Sequence, residues 1–189
     1  MPEALLPIEV TFDMRDFQAA ISELVPPKAD KAIATALRRT ADNAKVRASG
    51  LIAKHMNLKT SVVKTRIFTD FVQPGTYVTR IRSSRKPIPL GDFPHTQTKA
   101  GVTTRAWGKP QVLKSAFNAT MRTGHSGVFR RRPGAGRFPI YELWGPTISG
   151  TFNTPDVRVA IEARIKEQLP KNLNRDLGAA VRRAGHHGR

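Results

Sequence analysis

Five histidines, 14 carboxylates and 32 lysines and arginines are the residues of this chain that could do chemistry, and their spacing favours binding over catalysis. A metal site needs several ligands converging at short spacing. His55, His95, His125, His186 and His187 form no His-x-x-x-His pair and have few acids nearby, and the His186-His187 pair would hold a metal only adventitiously. Nucleophilic catalysis needs a nucleophile, a base and an orienting group. Asp92 and His95 lie three residues apart in a Pro-rich stretch with no signal for the third member, and no Gly-x-Ser-x-Gly occurs. Gly134-Ala135-Gly136 lacks the Lys-Ser/Thr that completes a phosphate-binding loop. Paired carboxylates are scarce in the middle of the chain. Glu142, inside an aromatic segment, is expected to pair with an arginine rather than to catalyse. These patterns point to no catalytic residue, no metal and no cofactor, and so to a protein that is not an enzyme.

The basic clusters remain. Arg130, Arg131, Arg132 and Arg137 bracket a Gly/Pro stretch, and Arg80, Arg82, Arg85 and Lys86 run out of a strand into a loop. On a strand, Arg80 and Arg82 share one face. All eight are candidates for facing DNA or a partner protein; repeated around a ring, such a face would line a channel with positive charge. A solvated sheet face is the plainer reading of the same residues. The net charge is +18, and residues 35–137 carry 21 bases against Asp42, Asp70 and Asp92 alone. A field of this kind concentrates polyanions and opposes self-association of like surfaces. Non-specific phosphate contacts are the expected mode, because no helix-turn-helix, zinc-finger or RNA-recognition signature accompanies the charge.

A chain of 189 residues can bury a real core. The absence of cysteine excludes disulfides and fits a reducing compartment. No run approaches ~18 apolar residues, so no membrane contact is expected. Glu3, Glu9, Pro2 and Pro7 argue against a signal peptide.

The elements that must position these residues read as helices, then strands, then helices. Residues 8–12 alternate as a half-buried strand, and residues 15–24 predict a short helix behind Asp13. Pro26-Pro27 opens a long Ala-rich helix over residues 28–55. Its stripe is Ile33, Leu37, Ala41, Ala44, Ala48 and Leu51; packing on the protein's own sheet is the expected use, with a coiled-coil seam as the alternative. A helix over 60–68, capped by Thr60 or Ser61, should follow. Strands are predicted over 76–82, 101–107 and 127–130, with an apolar run over 112–121 and a loop or hairpin tip over 131–137. Residues 138–146 should close the sheet. Pro155 opens a late helix along Val157, Ile161, Ile165 and Leu169. Pro170 should interrupt it before Leu173, Leu177 and Val181 continue the spacing. The fold class is α+β: N-terminal helices, a central mostly antiparallel sheet with long loops, and a C-terminal helix or helices. Residues 1–169 read as a single domain and 170–189 as a basic helical arm with a frayed end.

The segment Phe138, Pro139, Ile140, Tyr141, Glu142, Leu143, Trp144, Gly145, Pro146, continued by Thr147-Ile148, resembles the signature of the minor tail protein Z family of lambda-like phages. Ile88-Pro89-Leu90 with Phe93, Lys99-Ala100-Gly101-Val102, Ala116-Phe117 and Gly127-Val128-Phe129-Arg130-Arg131 agree with that family's order of motifs. The dense Arg130, Arg131, Arg132 run and the basic tail depart from it. The resemblance implies a structural tail-completion protein in the virion neck, assembled in the bacterial host cytoplasm. Its partners would be the tail terminator, the head–tail connector and viral DNA. It would form a homo-oligomeric ring, a hexamer matching the tail tube, that serves head–tail joining and DNA passage. Residues 138–146 would then be an intersubunit or core element. The competing reading is a non-specific nucleic-acid-binding protein that is not incorporated into a tail.

Overall fold

The computed structural model describes residues 8–10, 26–71, 78–134, 136 and 138–185. The helix expected over residues 15–24, and Arg137, lie outside them. In chain order the elements are β1 (Ile8–Val10), α1 (Pro26–Met56), α2 (Thr60–Lys64), β2 (Ile67–Phe71), β3 (Thr79–Ser83), a 3-10 turn (Leu90–Asp92), β4 (His95–Thr98), β5 (Gly101–Thr104), β6 (Gln111–Lys114), β7 (Ala116–Thr120), β8 (Ser126–Arg131), β9 (Ile140–Glu142), α3 (Ile148–Phe152) and α4 (Pro155–Gly185). The class is α+β, as expected. The described chain falls into two compact units that alternate along the sequence. The first draws on Met1–Ala48, Ile67–Ser83 and Pro155–Arg189, the second on Ser49–Arg66 and Ser84–Thr154.

In the first unit, the apolar stripe of α1 recurs at steps of three and four, which puts it on one helical face. Ile33, Leu37, Ala41, Ala44 and Ala48 are buried, and Leu51 is half-buried. The N-terminal part of this face packs on a helix and not on the expected sheet. Ala29, Ala32, Ile33, Ala36 and Leu37 instead form one apolar cluster with Leu169, Leu173 and Leu177 of α4. Alanine on α1 leaves room for the leucines of α4. A buried polar contact crosses the same seam: Asn172 Nδ2 donates to Thr40 Oγ1 at 2.9 Å, and Thr40 donates to Ala36 O at 2.8 Å. Arg39 reaches Asp176 at 3.2 Å at its edge.

This seam explains a departure from the sequence reading. Helix α4 runs unbroken from Pro155 to Gly185 with Pro170 inside it. An interior proline costs a helix about 3 kcal/mol. Leu169 and Leu173 on either side are each 1% exposed, and burying a leucine contributes about 1.5–3 kcal/mol. Packing therefore offsets the broken ladder.

The unit's sheet is antiparallel in the order β1-β3-β2, with Ile8 opposite Ile81 and Phe68 opposite Arg82. Ile67 and Ile81 are buried. Phe68 lies on β2, not on the helix predicted through it. α2 ends at Lys64, and its N-cap is Lys59 with no side-chain cap bond, so neither Thr60 nor Ser61 caps it.

In the second unit two three-stranded antiparallel sheets follow one another, β4-β5-β6 and β7-β8-β9. The apolar run expected over 112–121 is two strands, β6 and β7, parted at Ser115, whose φ is 60°. Gly101 opens β5 at φ +141°, and a Cβ there would lie 2.1 Å from Leu113 O, so only glycine lets β5 and β6 approach. Ile88, Leu90, Phe93, Val102, Val128, Ile148 and Phe152 are all at or below 2% exposure, which identifies the core residues of this unit.

A candidate partner-binding surface

The charge is unevenly divided between the units. Ser49–Arg66 and Ser84–Thr154 together hold 15 bases and only two acids, Asp92 and Glu142. The second unit thus carries net +13 of the chain's +18. No acid at all occurs in residues 93–141.

The eight expected partner-facing cations do not form one set. Arg80 and Arg82 do share the exposed face of β3, because Thr79 and Ile81 point into the core. Arg82 is already engaged: its Nη2 donates to Asp70 Oδ1 at 2.9 Å and its Nε to Oδ2 of the same carboxylate. The hydrogen bond from Arg82 holds the Asp70 carboxyl below its usual range, against an opposing effect of burial, and the charges of Arg82 and Arg80 act in the same sense as the hydrogen bond. The same contact pushes the Arg82 guanidinium higher. This face is therefore less cationic than its sequence suggests.

Arg85 and Lys86 belong to the second unit, where both side chains are exposed. Their backbone is held by Arg66, whose Nη1 donates to Pro87 O at 3.3 Å and to Lys86 O at 3.5 Å. The heads stay in water while the loop is fixed.

On β8 the three arginines have three environments. Arg130 lies opposite Tyr141 and is half-buried, with Nε buried and unpartnered. Arg131 stacks over Phe117 with its guanidinium carbon 4.6 Å from the ring centroid, a cation–π contact. Arg132 is exposed. Only Arg132 of the three is wholly a surface charge.

Glu142 pairs with a histidine, not with an arginine. His125 Nε2 lies 2.8 Å from Glu142 Oε1. Glu142 faces Phe129 across the strands, and His125 meets the Phe129 ring edge-on at 6.2 Å. Gly127 makes room for this group, since a Cβ there would sit 2.9 Å from Glu142 Oε1 and 3.2 Å from the Phe129 ring. In sequence His125 offers itself only as a metal ligand; it lies one residue before β8, and only the strand register reveals its carboxylate partner.

The aromatic segment divides between support and surface. Its backbone is pinned: Leu143 N donates to Val128 O at 2.8 Å and Gly145 N to Ile88 O at 2.7 Å. Leu143 O accepts from Leu90 N at 2.9 Å, and Pro89 and Trp144 form an isolated antiparallel bridge. A Cβ on Gly145 would come within 2.6 Å of the Phe93 ring. Ile140, Leu143 and Pro146 are half-buried, while the Phe138–Pro139 peptide is cis and Pro139 is exposed. The rings point the other way: Phe138 is 68% exposed, Tyr141 52% and Trp144 50%. These three are surface residues, not core.

Asp92 and His95 line a cleft of about 590 Å³ in the second unit, with Asn57, Lys59 and Phe93 among its walls. His95 Nδ1 is hydrogen-bonded to Phe93 O at 2.8 Å, which ties the ring to its own backbone. Among the described residues no group of three His, Asp or Glu side chains could hold a metal ion, and no helix is long and apolar enough to cross a membrane.

The family model of prophage minor tail protein Z matches residues 15–185, most of the chain. No curated protein and no solved structure matches it. The chain belongs to the prophage minor tail protein Z family and is thereby a component of the phage tail class.

Proposed function

We propose that this member of the prophage minor tail protein Z family completes the head-proximal end of the tail, preparing it for head–tail joining and for passage of DNA. The observation that carries this reading is the net +13 of the second unit, whose longest acid-free run spans residues 93–141. A protein working beside a passing genome needs cations without sequence readout, since phosphate contacts supply non-specific affinity. Arg85, Lys86 and Arg132, with exposed heads, are the cations best placed for it. Arg137 belongs with them by sequence. Arg80, Arg82 and Arg131 are in part committed to contacts within the chain, and Arg130 is half-buried.

Phe138, Tyr141 and Trp144 fit a protein interface, because exposed aromatic side chains on a fixed backbone are typical interface anchors. In this reading they meet a neighbouring copy in a ring, a hexamer on the tail tube, or the tail terminator or head–tail connector. The protein acts structurally, with no cofactor, and joins the virion neck after synthesis in the host cytoplasm.

The test is complementation. Tails assembled without this protein are mixed with filled heads, and joined particles are counted by electron microscopy with and without the purified chain. Restored joining, with the chain retained at the head end of the tail, is the expected result. Tight, salt-sensitive duplex binding by the free protein, with no retention on tails, would overturn it in favour of a nucleic-acid-binding protein outside the tail.

A further inference from the structure

Among the described residues two exposed aromatic residues, Phe68 and Trp107, lie outside the signature segment. Trp107 sits at the turn between β5 and β6 and is 43% exposed. The turn is closed by Gly108 N donating to Arg105 O at 3.0 Å, with Gly108 at φ +80°. It is braced from behind: Ala106 is 4% exposed, its N donates to Thr104 Oγ1 at 3.3 Å, and that hydroxyl donates to Pro94 O at 3.3 Å. A buried alanine at one central turn position holds the next residue, the indole, outward.

The surroundings of Trp107 are cationic. Arg105 and Lys109 flank it and are exposed, and Lys114 and Val112 lie exposed further along β6. Neither Arg105 nor Lys109 makes an ion pair among the described residues, and the nearest acids in sequence are Asp92 and Glu142. Trp107 makes no ring contact among the described residues. An unstacked ring between free cations matches nucleic acid, whose bases offer a π face and whose phosphates offer charge. Base–aromatic stacking tolerates any sequence because every base has such a face.

We propose that the β5–β6 hairpin is a nucleic-acid contact in which Trp107 stacks on an open base face while Arg105 and Lys109 hold the flanking phosphates. The inference rests on the proposed work beside DNA but adds a different kind of contact. Phosphate contacts alone accept any duplex; a stacking indole requires a base with an uncovered face, as on a single strand or at a duplex end. Pre-organisation by Ala106 and Thr104 lowers the ordering cost of binding.

The test uses the full-length Trp144→Phe protein, in which Trp107 is the only remaining tryptophan of the two. Three probes are titrated: a single-stranded oligonucleotide, a blunt duplex, and a relaxed, covalently closed circular duplex, which has no end and no unpaired base. Trp107 emission should be quenched by the single strand, the blunt duplex or both, which identifies the source of the open face, and not by the closed duplex. Trp107→Ala should weaken binding to the quenching probe about tenfold, leaving closed-duplex affinity within about twofold and the thermal transition unchanged. Trp107→Phe should recover most of the loss. Arg105→Ser with Lys109→Ser should flatten the dependence of affinity on salt by about two counterions.

Closed-duplex binding with no quenching by any probe would sink the inference while leaving the proposed work beside DNA intact. Absence of all DNA binding would remove both. Lost head–tail joining in Trp107→Ala with unchanged DNA affinity would reassign the hairpin to an acidic protein partner and also overturn the inference.

Discussion

The side-chain amide of Gln97 takes the place of a neighbouring strand beside Asn118. Gln97 Oε1 accepts the Asn118 backbone N–H at 2.8 Å, and Gln97 Nε2 donates to Ala116 O at 3.4 Å and to Gly101 O at 3.5 Å. Gln97 lies on β4, and Asn118 and Ala116 lie on β7, so one side chain links the two sheets of the second unit. A strand edge otherwise presents unpaired donors and acceptors.

Gln97→Ala should therefore cost about 1 kcal/mol, the net worth of a hydrogen bond whose partners water can reach. Hydrogen exchange should accelerate at the Asn118 amide before it does at Val128 in the centre of the sheet. Equal acceleration at both positions, or none at Asn118, would show that the amide link does not hold the edge.

Asp70 gives a pH prediction with a definite sign. Its folded-state pKa is lowered, first by the hydrogen bond from Arg82. The stability it contributes is then fully present above the unfolded value and is lost as pH falls through the folded value. Both partners are substantially exposed, so the effect is at the small end for ion pairs. Asp70→Asn should melt slightly below the parent at pH 7, and the gap should close on acidification below the ordinary aspartate value of 3.8. A gap that stays constant down to pH 2.5 would show that ionisation of Asp70 is not its source.

Arg131 and Arg132 are adjacent and should behave differently. Arg131→Ser removes the guanidinium from the Phe117 ring and should cost about 0.5–1 kcal/mol. Arg132→Ser removes a surface charge and should leave stability within about 0.5 kcal/mol. Chemical denaturation of the two single variants separates these outcomes. Equal losses would place the stability in the charge of the run and not in the stacked ring.

What the sequence made legible was periodic. The α1 stripe through Ile33, Leu37, Ala41, Ala44 and Ala48 and the α4 stripe through Val157, Ile161 and Ile165 are both buried as their spacing required. Alternation likewise placed Arg80 and Arg82 on one exposed face. Features fixed by pairing between distant segments were hidden. Ser115 parts β6 from β7 through one left-handed residue, which has no hydropathy signal. His95–Thr98 forms a strand although its composition reads as loop, because it pairs with β5. Glu142 meets His125 only through the hairpin of β8 and β9, and the segment holding Phe138, Tyr141 and Trp144 reads equally as intersubunit or core because aromatic composition does not tell core from surface.

Pro170 tests how far packing overrides local preference. Proline has no N–H for the i→i−4 bond, and its ring crowds the carbonyl of residue 166. If helix α4 merely tolerates it, Pro170→Ala restores the ladder and should raise stability, by no more than about 3 kcal/mol. The gain should be smaller, because Leu169 and Leu173 already pack on either side of the proline and Asn172 holds Thr40 at 2.9 Å. A straightened helix would have to keep all three contacts. Thermal unfolding of Pro170→Ala alone and together with Asn172→Ala decides between the two cases. A stabilised single variant, with the Asn172→Ala loss unchanged beside it, shows that the seam fits a regular helix. A destabilised single variant in which Asn172→Ala costs little more shows that the proline sets the path of α4 along α1.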